Sequence, residues 1–483
     1  MQLKGPQKSL LYFILLFLVV LDFAYSFLQH YSQPLDGDMS WHIVPAEVLK
    51  PVLESPLGLD VLLKNQSYPN PNRFFCHWSM KRYYETIPGY LQSFVSPIDS
   101  LYLSGAILKI CIQIGLVYLL GLFISGTFRV QKLDFILAVF VVVPLFQTNG
   151  YQGYMGIIDM SPTYTFFYAL PFLFLLIYSL PFLLENYTSV KPWVAGIMRV
   201  ICIPLGLVCS LSGPLNPGII LITAFLLILR RFRQAYLNTP LLSPGTRVAK
   251  SVRAIPDNYW FYLMPISLFS LYSLFIGTYN SNNMALPLSE EYANLPAGLY
   301  YQVTQKLGMP VLLSSILVNL IFMKTKYNSA KANTLSGIYK WIGVFIVCYI
   351  LLLPLGGYRE YRPNVLRYDT ILPVTFSLVF IFGSSVLYLM KCMSQRNLKV
   401  YLPSILVIIL IFTYADKPQF DKNACERAAL KQIATSQNTP LQLDGECKLL
   451  SWGNITDPHD SELNAEFIMM CGITSKKVLY YNK

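Results

Sequence analysis

The chain has 483 residues, 54% of them apolar and only 13% charged, with a formal net charge of +12. Soluble domains carry roughly 25% charged residues, and a mean hydropathy of +0.47 excludes an ordinary soluble domain. The apolar runs, about 16 to 20 residues each, suit membrane-spanning helices better than short alternating strands. The Lys and Arg residues cluster between those runs, as in the positive-inside pattern. Membrane lipids rather than nucleic acid are the expected partners.

Taken in order, Lys4 and Lys8 precede an apolar run over 10–28, read as an uncleaved anchor although Ala24-Tyr25-Ser26 faintly resembles a cleavage site. Further spans are expected at 104–124, 133–147, 163–183, 194–212, 216–230, 258–277, 308–323, 337–355, 371–390 and 400–415. The fold class is therefore an all-α polytopic membrane protein with about eleven transmembrane helices. Pro144, Pro171, Pro204 and Pro354 predict kinks. With the N-terminus inside, Arg129, Lys132, Lys191, Arg230, Arg231, Arg233, Lys324, Lys391 and Arg396 all fall in inner loops, which predicts a cytoplasmic N-terminus and an exterior C-terminus.

Two stretches exceed mere connectors: the first exterior loop, 30–103, and an exterior soluble tail, 416–483, following a transmembrane domain over 1–415. Within the loop, WHIVPAEVLKPVLE and HWSMKRYYETIPGYLQSFV place apolar residues at helical spacing, as interfacial helices do. Of the cysteines expected outside (Cys76, Cys425, Cys447 and Cys471), Cys425 and Cys447 are the first choice for a disulfide, with free thiols as the alternative.

The densest polar chemistry follows the first span in LDGDMSWH, where Asp36 and Asp38 flank a glycine and Trp41 and His42 come next. Beside a low-dielectric boundary a carboxylate can act as a general base. Paired carboxylates also suit a divalent cation, and a plain Asp-Gly turn explains them equally. A second cluster, 356–369, holds Arg359, Arg362, Arg367 and Tyr368 in an exterior loop, against the inside-positive trend. Guanidinium forks there would bind phosphate or pair with carboxylates. Around 147–154, Tyr151 and Tyr154 are able to stack a sugar or anchor at the interface. Ser212 to Gly218 reads as a tight turn. All four histidines fall in exterior segments, but without an i,i+4 His pair or a Cys-x-x-Cys motif no zinc site is expected.

The many spans, the long first loop with interfacial helices, the acidic residues in LDGDMSWH and the RYDTILP entrance to a late span together resemble the GT-C superfamily of membrane glycosyltransferases. The resemblance implies a GT-C-like fold and a polyprenyl-phosphate-linked sugar donor. The acceptor, a glycan, lipid or protein, would lie on the exterior face. Asp38 or Asp36 would be the catalytic base of an inverting transfer. Arg367, with Arg359 or Arg362, would meet the lipid phosphate, and Trp41, His42, Tyr151, Tyr154 and Tyr368 would line the substrate site. No cofactor is firmly implied. A divalent cation stays open, with Asp159 and Glu290-Glu291 as loose second acidic positions. The competing readings are a lipid or polysaccharide transporter or flippase, which would place ionisable groups within the spans, and a non-enzymatic envelope assembly protein. A bacterial inner membrane fits the modest loops, while the Asn65-Gln-Ser and Asn454-Ile-Thr sequons suit an endoplasmic reticulum protein.

Overall fold

The computed structural model describes residues 5–188, 190–240, 243–283, 286–357 and 364–482. Among the described residues, nine helices are long and apolar enough to cross a membrane: Pro6–Tyr31, Pro97–Ser125, Pro162–Asn186, Pro192–Ser210, Asp257–Gly277, Gly308–Thr325, Ala330–Gly356, Leu372–Cys392 and Gln395–Ala415. The protein is thus an all-α polytopic integral membrane protein. These nine coincide with nine of the eleven expected spans.

The remaining two differ from a simple apolar rod. The 133–147 segment is a ten-residue helix, Leu133–Val142, continued by a 3-10 turn over Val143–Leu145. Pro144 lacks the amide hydrogen that would extend the α-helical ladder. The 216–230 segment is the start of a longer helix, Asn216–Leu237, whose last turns carry Arg230, Arg231 and Arg233. Each segment is tied by polar contacts near both of its ends. Asp134 pairs with Lys391 at one end (2.6 Å), whereas the Thr148 N–H and hydroxyl both donate to Asp416 at the other (2.9 Å each). Likewise Asn216 Nδ2 donates to the carbonyls of Pro171 and Cys209 (3.0 Å each), and far along the same helix Arg231 Nε donates to the Tyr259 hydroxyl (2.7 Å).

Local signals explain where the central helices begin. Ser96 caps the Pro97–Ser125 helix by accepting from the Asp99 N–H, with Pro97 in its first turn and Gly126 closing it at φ +68°. Pro373 occupies the first turn of the Leu372–Cys392 helix in the same way. These two helices are the most enclosed, with 56% and 83% of their apolar windows buried against 17% for the first helix. They therefore form the axis around which the others pack.

At one end, here termed the loop end, the 32–96 segment folds into short helices over Met39–Ile43, Lys50–Glu54 and Leu59–Leu63 and a longer one over Phe74–Leu91. Trp41, Trp78, Tyr90 and Phe94 remain exposed on it. The tail adds helices Ala424–Thr435 and Glu462–Met470 and two parallel strands, with Leu441 opposite Tyr480. Leu430, Ile433, Leu443, Phe467 and Tyr480 bury its core. Cys425 and Cys447 are disulfide-bonded, while Cys76 and Cys471 are free and buried. The tail is clamped to the loop end. Asn423 Nδ2 donates to the Tyr31 carbonyl (2.8 Å), Gln92 Nε2 to the Cys471 carbonyl (2.7 Å), and the Leu35 N–H to Glu426 Oε2 (2.8 Å). Gly37 permits the closest approach, since a Cβ there would lie 2.6 Å from the Trp452 nitrogen.

Candidate functional site

The first helix ends at Tyr31, and the turn after it sends its two carboxylates different ways. Asp36 points inward and is buried. Its Oδ2 accepts from the Ser161 hydroxyl (2.7 Å) and the Thr163 N–H (3.0 Å), and its Oδ1 from the Thr163 hydroxyl (2.8 Å) and the Asp38 N–H (2.9 Å). Burial still raises its pKa, against the lowering effect of the Thr163 and Ser161 hydrogen bonds. Asp38 is half-buried and accepts from the Trp452 indole N–H of the tail (3.0 Å).

Ser161 links this turn to a second carboxylate. Its N–H donates to Asp159 Oδ1 (2.7 Å) while its hydroxyl holds Asp36, so the 159–163 segment bridges the two acids. Asp159 is buried, and its Oδ2 has no hydrogen-bond partner among the described residues. Burial, with added repulsion from Asp369 and Asp36, pushes its pKa up to about 7 in spite of the Ser161 N–H and the Lys109 charge. Lys109 stands within the Pro97–Ser125 helix at 1% exposure, and its Nζ donates to Gln33 Oε1 (2.8 Å) and to the Met160 carbonyl. Its charge was not anticipated as part of the site, because an isolated Lys in an apolar run gives no sign of which side chains surround it.

The late-span turn reaches the same place. Arg367 Nε and Nη2 donate to the two oxygens of Asp369 (2.9 and 2.6 Å), and the Thr370 N–H also donates to Asp369 Oδ1 (2.8 Å). The pair is largely enclosed, with side-chain exposures of 21% for Arg367 and 3% for Asp369. Asp159, Tyr164, Tyr168, Tyr368 and Asp369 together line a small cavity of about 10 Å³, close to the minimum that holds one water. Burial first, then the Asp159 and Asp369 charges, push the Tyr368 hydroxyl well above its usual pKa. Tyr164 stacks on Tyr168 and meets the Trp452 ring edge-on.

Other residues singled out in the sequence lie elsewhere. Tyr151 is buried against Phe412 (ring centroids 5.7 Å), which makes it a packing residue, and neither it nor Tyr154 lines the cavity. The Gln152–Met155 helix, which Tyr151 precedes and which contains Tyr154, packs instead towards the Gly308–Thr325 helix, where Gly308 lies against Tyr151 and Met155. Trp41 is 48% exposed. His42 stacks on the buried His77 (4.8 Å), and both rings meet Phe167 edge-on. Arg359 and Arg362 lie outside the described residues. Among the described residues no group of three or more His, Cys, Asp or Glu side chains is placed to hold a metal ion.

Beside the polar cluster runs an apolar groove of about 620 Å³, within the size range of small-molecule sites. Phe172, Leu176, Leu226, Ile342, Phe345 and Phe376 are among its walls, and Arg230 lines it as well. Its wall on one helix extends from Phe172 to Thr188, about 24 Å at the helical rise per residue. Its loop end abuts the cavity, since Leu372 lines the cavity and Pro373 the groove, and Ala169 lines the cavity and Phe172 the groove.

Fold and site together define a polytopic integral membrane protein with a cluster of buried ionisable side chains beside an apolar groove. Compared with known proteins, the chain matches no family model and no curated protein.

Proposed function

We propose that the protein is a GT-C-like membrane glycosyltransferase that moves a sugar from a polyprenyl-phosphate-linked donor to a hydroxyl of a glycan, lipid or protein acceptor. The observation that carries this reading is the junction of groove and cluster: an apolar groove ends beside two carboxylates, the Arg367 guanidinium and three tyrosines. A polyprenyl chain needs the first and a sugar phosphate the second. Arg367 would meet the negative charge that develops on the leaving phosphate. Asp36 would hold the 159–163 segment in place, and Tyr164, Tyr168 and Tyr368 would frame the sugar.

In this reading all eleven segments cross the membrane, the loop end is exterior and the N-terminus is cytoplasmic. The pairing of Lys391 with Asp134 and the Arg230–Arg233 cluster at the end opposite the loop support that orientation. A bacterial inner membrane is the proposed location. The buried Lys109 within a span favours one rival, a lipid flippase. Reconstituted protein given undecaprenyl-phosphate-linked glucose, mannose or arabinose separates the two. Release of undecaprenyl phosphate with transfer of the sugar is expected, and Arg367→Gln should weaken donor binding at least tenfold. Movement of intact donor between leaflets without cleavage would replace the transferase reading with the flippase.

A further inference from the structure

We infer that Asp159, rather than Asp36 or Asp38, is the carboxylate that takes the acceptor proton. This assignment rests on the glycosyl-transfer reading and sharpens it.

The three acids differ in what remains of their oxygens. Both oxygens of Asp36 are occupied by four donors, two of them backbone N–H groups that cannot turn away. A carboxylate held this way is a fixed anchor, because taking a proton would require breaking a hydrogen bond that the fold supplies. Asp38 faces the tail and is engaged by Trp452. Asp38 likewise has one held and one open oxygen but is only half-buried, whereas in Asp159 Oδ1 is oriented by the Ser161 N–H and Oδ2 is enclosed without a partner among the described residues. Orientation of one oxygen and availability of the other is the arrangement a positioned base needs.

The space beside it fits as well. The cavity that Asp159 shares with Tyr368 and Asp369 has room for a group about the size of a hydroxyl. An acceptor hydroxyl seated there would donate its proton to Oδ2 while its oxygen lone pair forms the new bond to the anomeric carbon. The bond from that carbon to the donor phosphate oxygen breaks, and its electron pair leaves with the polyprenyl phosphate beside Arg367. One proton is stored on Asp159, and the anomeric configuration inverts. Lys109 and Asp369 set how readily Asp159 holds that proton, one favouring its charged form and the other opposing it. Lys109 is therefore a positioning residue that acts through Asp159.

The test uses full-length protein in proteoliposomes with undecaprenyl-phosphate-linked glucose, mannose and arabinose, and methanol as a minimal hydroxyl acceptor. Asp159→Asn should lower kcat at least a thousandfold with the donor Kd unchanged. In the wild type kcat should rise with pH to a plateau above about 7, the value to which Asp159 is pushed up, because the base must be ionised. Lys109→Gln removes a charge that favours ionisation, so that limb should move to higher pH, a change that mere loss of structure does not produce. If Asp159→Asn keeps its kcat, or if the limb stays put in Lys109→Gln, Asp159 is not the base and the transferase reading survives. If the wild type cleaves none of these donors, both readings fail together.

Discussion

The polar cluster and the apolar groove share neighbouring residues of the same two helices as walls, yet they are held by opposite means. In the cluster, Asp36, Asp159, Lys109 and Asp369 are buried, and their geometry is specified by individual hydrogen bonds and the Arg367 pair. Such groups are expensive to enclose unless matched, and all of these carboxylate oxygens but Asp159 Oδ2 are, so their positions are tightly determined. The groove is enclosed by apolar walls from helices far apart in sequence, including Phe172, Ile219, Ile342 and Phe376. Its shape follows from packing and tolerates substitution of similar volume. The two regions should therefore fail differently when altered, sharply in the first and gradually in the second.

The largest expected effect tests the cluster. Asp36→Ala strands the Thr163 and Asp38 N–H groups in a buried site and should lower stability by about 3 kcal/mol or more. Asp38→Ala removes one partly exposed bond and should cost about 1 kcal/mol or less. Thermal unfolding in detergent measures both, and equal losses would erase the distinction between anchor and bystander. Replacing Cys447 by Ser opens the Cys425–Cys447 link and should cost about 3 kcal/mol in the tail. Limited proteolysis should show that loss confined to residues after Asp416.

The groove should respond in binding rather than folding. Ile342→Trp places a larger side chain in its wall and should reduce retention of polyprenyl phosphate about tenfold, or roughly 1.4 kcal/mol, with little change in unfolding temperature. Native mass spectrometry reads the bound lipid, and undiminished occupancy would show that the lipid lies elsewhere.

A further expected effect is a pH dependence at the tail. Burial pushes Glu426 up to about 8, against the Leu35 N–H and Tyr102 hydroxyl, which favour its charged form. Its folded pKa thus lies above its unfolded value. The stability it gives is fully present below the ordinary Glu range and declines as pH rises through about 8. Relative to their intrinsic base-catalysed rates, tail amides should be less protected at pH 9 than at pH 5, and Glu426→Gln should flatten that difference.

What was legible in the sequence follows the same division. Spans are written as continuous apolar runs, so nine of them are found in place among the described residues. The acidic turn after the first helix and the Arg367–Asp369 turn stand out as local polar clusters at helix ends. Asp159 reads as only a loose candidate in the sequence, because its place beside Asp36 comes from Ser161 and Thr163 folding onto Asp36 across 125 and 127 positions of chain. The burial of Tyr151 behind Phe412 was hidden for the same reason. No local pattern foretells a groove assembled from so many separate helices.

The central claim is that groove and cluster serve one amphipathic lipid, and photo-cross-linking tests it most directly. An undecaprenyl-phosphate analogue with a photoreactive group on its chain should label the Phe172–Thr188 and Ile338–Phe345 walls. Both Ile342→Trp and Arg367→Gln should suppress that labelling. Labels scattered over the lipid-facing surface, unchanged by either substitution, would contradict the account.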